Sequence, residues 1–116
     1  MTQQQQPGSQ VLRLMGAPVR VLSVTTQDLR LATNVAQVNS LQLMLTVYEG
    51  TNIPVSILTG SQTDSEDGWV TLDSFAATSA PNSIIKVFSN PLAFIRWKVT
   101  STVTGSFLIS GVGRLT

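Results

Sequence analysis

The chain has no cysteine and no histidine in its 116 residues. Without cysteine there is no disulfide framework and no thiolate metal site, which disfavours a small secreted module held by staples. Without histidine the commonest general base and metal ligand is missing. Nucleophilic catalysis would need Ser or Thr with a lysine base. Only Lys86 and Lys98 are present, both on predicted strands with no supporting motif. Charge is scarce as well, with 11% of residues charged against about 25% in an average domain. Seven Lys+Arg against six Asp+Glu leave a net charge of +1, so no strong field draws nucleic acid or an anionic membrane. No apolar run approaches the ~20 residues of a membrane helix. The opening MTQQQQPGSQ lacks the basic and apolar regions of a secretory signal, and there is no Asn-x-Ser/Thr glycosylation acceptor. These absences predict a protein that is not an enzyme and has no cofactor, metal, nucleic-acid partner or membrane partner. It is expected to be made in the cytoplasm and to stay there or in a particle assembled there.

What is present points to strands. Thr and Val favour extended structure, whereas the usual exposed-helix residues Glu and Lys are few. A chain of this length forms one domain and buries about two-thirds of its unfolded surface. Residues 1–10, with four glutamines before Pro7-Gly8-Ser9, have little apolar surface to bury and read as a flexible N-terminal arm. Residues 11–116 read as a single β-sandwich domain.

Along that domain, Val11 to Met15 gives a short strand cut by Gly16-Ala17-Pro18, and a second strand runs from Pro18 to Thr25. Leu29 to Val38 carries a helical stripe (Leu29, Ala32, Val35, Ala36) that Thr26 or Asp28 could cap. It also holds mediocre helix formers, and extended or irregular structure is the favoured reading. Ser40 to Tyr48 alternates cleanly, with Leu41, Leu43, Leu45 and Val47 on one face. Strands follow at Ile53–Thr59, Trp69–Phe75 and Ile84–Phe88. In the second of these, Trp69, Thr71, Asp73 and Phe75 share a predicted face. The most aromatic stretch, Leu92 to Val112, reads as a β-hairpin. Its first strand sets Ala93, Ile95, Trp97 and Val99 against Phe94, Arg96 and Lys98; its second strand carries Phe107 and Ile109. The sum is seven or eight strands with short connections, hence an all-β, antiparallel β-sandwich or jelly-roll-like fold.

Chemistry is thin. Asp64, Glu66 and Asp67 crowd one loop, but reading back from Gly68 the alternate positions are Asp67, Ser65 and Thr63, and the late position is Ser74. That fails the EF-hand pattern and leaves a solvated hairpin tip. Trp69, Tyr48, Phe94 and Trp97 could stack a sugar, although the register of Trp97 places it in the core. Arg96 and Lys98 read as a solvated face or as ion-pair partners. Trp69, Tyr48, Phe94 and Arg96 are therefore the candidate ligand or interface residues.

The layout of Gly68-Trp69, Phe75, Phe94 to Trp97 and Phe107 resembles small β-sandwich decoration and accessory proteins of tailed-phage or phage-like particles, over residues 59–114. That resemblance implies a multi-copy structural subunit of a virion (capsid decoration, neck or tail accessory) with no catalytic residues. Its partners would be copies of itself or other particle subunits. The alternative is a carbohydrate-binding β-sandwich module whose partner is a glycan.

Overall fold

The computed structural model describes residues 9–115. Ten strand segments build two facing antiparallel sheets. Sheet I contains β1 (Ser9–Leu12), β2 (Val19–Val21), β5 (Val38–Glu49), β8 (Asn82–Ser89) and β10 (Gly105–Leu115). Sheet II contains β3 (Thr25–Thr26), β4 (Thr33–Asn34), β6 (Val55–Gly60), β7 (Val70–Ser74) and β9 (Phe94–Val99).

The ten segments occupy eight strand positions, because each sheet has one interrupted edge. Both β1 and β2 pair with β10, and both β3 and β4 pair with β9. With each interrupted edge counted as one strand, the order is 1-8-3-6 in sheet I and 2-7-4-5 in sheet II. This is the jelly-roll arrangement, in which every connection between strand positions except that from β6 to β7 passes to the other sheet. The expected strand from Pro18 to Thr25 is one such change. Residues 22–24 leave the edge of sheet I after Val21 and deliver Thr25 to the edge of sheet II.

The expected hairpin at Leu92–Val112 is corrected by the same topology. Its two strands do not pair: β9 bonds to β6 in sheet II and β10 bonds to β5 in sheet I. The intervening residues arch across the core. Both strands keep the expected inner faces, so the pair meets through side chains. Trp97 and Phe107 pack edge-on with ring centroids 5.1 Å apart. Ile95, Val99, Ile109, Leu41, Leu43, Leu45 and Val47 complete the centre of the core.

The shared face expected in β7 changes, while the extended or irregular reading of residues 29–38 holds. The expected common face of Trp69, Thr71, Asp73 and Phe75 is split by a β-bulge, since Leu58 opposes Thr71 while Ile57 opposes Asp73. The extra residue turns Asp73 and Phe75 toward the space between the sheets. Residues 29–38 are mostly extended or irregular, with one 3₁₀ turn at Leu29–Leu31 whose N-cap is Asp28. Of the arm expected over residues 1–10, Ser9 and Gln10 belong to β1, opposite Arg114 and Gly113. Residues 1–8 lie outside the described residues.

The two long sides of the sandwich differ. On the β7–β8 side, Phe75 meets Phe88 edge-on at 5.2 Å, and Lys86 on the inner face of β8 reaches Asp73 at 3.4 Å. That side is closed. The opposite side, where the interrupted edges face each other, is open.

Candidate functional site

The four candidate residues separate onto opposite faces. Tyr48 alternates with the buried Val47 on β5 and lies exposed on the outer face of sheet I. Phe94, Arg96 and Trp69 occupy the outer face of sheet II, and Trp97 is core. No aromatic platform unites them.

Of the two readings of Arg96, a solvated face or an ion-pair partner, the second holds, since it pairs with Glu66. It is only 2% exposed. Its Nε and Nη2 donate to the Gln27 carbonyl at 3.0 and 2.6 Å, and Nη1 and Nη2 donate to Glu66 at 2.9 and 3.2 Å. The Trp69 ring covers it, with the guanidinium carbon 4.9 Å from the ring centroid. The indole N–H of Trp69 donates to the Ser65 carbonyl. A paired, capped guanidinium of this kind holds the 61–69 loop against the sheet. Glu66 is therefore an anchor for Arg96. Among the described residues no group of three or more His, Cys, Asp or Glu is placed to hold a metal ion.

Gln27, which the sequence reading did not single out, explains how Arg96 is buried. Where the chain leaves β3 to form the 29–31 turn, Trp97 would lose its edge partner. The Gln27 side chain replaces it: Oε1 accepts from the Trp97 N–H at 3.3 Å and Nε2 donates to the Leu31 carbonyl at 3.2 Å. The backbone N–H of Gln27 in turn donates to the Trp97 carbonyl. Asp28 then caps the turn through the Arg30 N–H, and its carboxylate also binds the Arg30 guanidinium. Those hydrogen bonds hold its carboxyl below the ordinary aspartate range.

Two surfaces remain that these networks do not consume. The first is the outer face of sheet I. Register places Val11 beside Val112, then Gln42, then Val87; the next row is Ser110, Met44 and Ile85. Val11 is 79% exposed, Ile85 59% and Val87 57%. No charged residue interrupts these rows. Arg114 bounds them at one end, and the Arg20–Glu49 pair bounds them at the other. A shallow depression of about 430 Å³ lies between Val11, Met44, Ile85 and Ser110. The second surface is a cleft of about 590 Å³ at the open side of the sandwich, floored by Trp97.

No family model matches the chain, and no curated protein matches it. Among solved structures it is similar to the K2 cleaved adhesin domain of Lys-gingipain, with a TM-score of 0.57 at 7% identity. The alignment covers 72% of this chain and 60% of that chain, so the likeness extends over less than two-thirds of the adhesin domain. At that identity the likeness establishes the shared β-sandwich fold.

Proposed function

We propose that the protein is a non-enzymatic interaction module that associates with further copies of itself through the outer face of sheet I. The supporting observation is the pair of uncharged, mainly apolar rows on that face, in which Val11, Met44, Ile85, Val87 and Val112 are all exposed around Gln42 and Ser110. Contiguous apolar surface of this kind marks an interaction site. A second copy suits it because the face carries no charge in its middle, so two such faces meet without repulsion. The Arg20–Glu49 pair at its border offers both signs. The finer reading is a multi-copy subunit of a virion or phage-like particle. It is supported by the layout of residues 59–114, and by the jelly roll, an architecture that capsid and lectin domains share.

A second reading is a carbohydrate-binding β-sandwich module resting on Trp69 and Tyr48; the β-sandwich shared with the adhesin domain is compatible with it. The separation of Tyr48 from Trp69 counts against aromatic stacking as its means.

The test is light scattering on the full-length protein across a concentration series, beside the double variant Ile85→Lys, Val87→Lys. The expected result is an oligomer of definite size that the variant converts to a folded monomer. A wild-type monomer at every concentration overturns self-association. Glycan-array binding by that monomer would then support the second reading.

A further inference from the structure

The two interrupted edges are opposed, and each leaves a β-strand N–H to an unusual acceptor. In sheet II, Gln27 takes the Trp97 N–H. In sheet I, the chain departs between β1 and β2 as the 13–18 loop, and the Ile109 N–H donates to the Met15 sulfur at 3.2 Å. Between these two loops the core is open to a cleft of about 590 Å³. That volume lies within the roughly 300–1,000 Å³ typical of small-molecule sites. Its walls are Leu14, Met15, Val19 and Leu31, and its floor is Trp97.

We infer that this cleft binds a small aromatic carboxylate, its ring against Trp97 and Met15 and its carboxylate on Arg13 at the mouth. Three observations carry the assignment. The interior is mainly apolar and its one buried amide is already engaged: the Gln27 side chain bonds Trp97, Leu31 and, at 3.5 Å, the Leu14 carbonyl. An apolar body is what such walls admit. The charged residues lining the cleft are Arg13 and Asp28. Asp28 is neutralised by Arg30 at 3.1 Å, whereas Arg13 makes no ion pair among the described residues. The wall is also adaptable, since Met15 has a flexible thioether and its sulfur is a weak acceptor for the Ile109 N–H. A ligand that moves Met15 therefore alters that hydrogen bond directly.

The experiment is an amide NMR titration of the full-length protein with 2-naphthoate, and separately with the neutral 2-naphthamide. Saturable shifts are expected at the Ile109 amide and the Trp97 indole with both probes, with tighter binding of the naphthoate. Arg13→Gln, at an exposed position, is expected to weaken naphthoate about threefold, the scale of an exposed ion pair, and to leave naphthamide unchanged. Leu31→Ala, also exposed, is expected to weaken both. The inference is overturned if neither resonance shifts up to the solubility limit. Shifts of equal size spread over Val112 and Ile85 would overturn it too, because they mean unspecific adsorption to sheet I. Equal affinity for the two probes, unchanged by Arg13→Gln, would overturn the carboxylate assignment.

Discussion

Trp97 and Phe107 are separated by one short connection in the chain, yet they belong to different sheets and meet edge-on across the core at 5.1 Å. The contact ties the centre of sheet II to the centre of sheet I. Phe107→Ala removes a ring that is fully buried, and large-to-small changes of this type cost about 3–5 kcal/mol. Urea unfolding should show that loss, accompanied by a red shift of Trp97 emission in a Trp69→Phe background. A loss below about 1 kcal/mol would mean that the sheets are held together elsewhere.

Arg96 and Glu66 contribute unequally to their shared contact. The Glu66 side chain is 69% exposed, so Glu66→Gln should change stability by under about 1 kcal/mol. Arg96→Ala strips the buried Gln27 carbonyl of two donors, at a cost of about 2–4 kcal/mol. Chemical denaturation of both variants distinguishes an anchored arginine from an ordinary surface ion pair. Equal effects would contradict the anchoring role.

Gly60 is where Trp69 comes closest to the sheet. A β-carbon there would lie 2.7 Å from the Trp69 Cδ2. Gly60→Ala must therefore push the indole outward, off Arg96, with an overpacking cost of about 1–3 kcal/mol. Near-ultraviolet circular dichroism and Trp69 emission should both change. Unaltered spectra would show that the ring has room to slide.

Lys86 points inward from the β8 edge and meets Asp73 from the other sheet. An inward charge on an edge strand hinders pairing with another chain. Lys86→Val should cost about 1 kcal/mol or less, since the pair is partly exposed, while raising concentration-dependent association through β8. Sizing of the purified variant reads this out. Association equal to that of the parent protein would assign Lys86 to stability alone.

Acidification should loosen the 29–31 turn before the core. Arg30 hydrogen bonds, first from its guanidinium and then from its backbone N–H, lower the Asp28 pKa. A lowered carboxyl pKa adds stability above its unfolded value, and that stability is lost as pH falls through the folded value. The loss thus sets in below about pH 4. Amide exchange at Arg30 and Leu31 should quicken there while Ile57 and Ile95 stay protected, and Asp28→Asn should abolish the pH dependence. Simultaneous exposure of turn and core on acidification would refute it.

The strands were readable because alternation is local: Leu41, Leu43, Leu45 and Val47 face the core as their spacing requires. Which sheet a strand joins is not local. Leu92–Val112 reads as a hairpin because two adjacent apolar strands look alike whether they pair edge to edge or face each other. Arg96 shows the same limit. Its outward register is correct, but Gln27 and the 61–69 loop fold over it from distant parts of the chain. The open cleft left no motif, since its walls are ordinary apolar residues in two loops. Its one unusual signal, Met15 accepting from Ile109, exists only once β10 is in place.

The position of β10 also orders events during synthesis. It lies between β5 on one side and β1 with β2 on the other, so Val11 finds its partner only when Val112 has been made. Until then β1 and β2 have no neighbour, and the inner row of β5 has no Phe107 or Ile109 beside it. Until β10 is available, the nascent chain has half a sheet unpaired and its apolar rows uncovered. Such long-range closure is slow. Newly made chains are then most prone to capture one another, so the rate of translation through Gly105–Leu115 bears on how much of the protein is recovered folded.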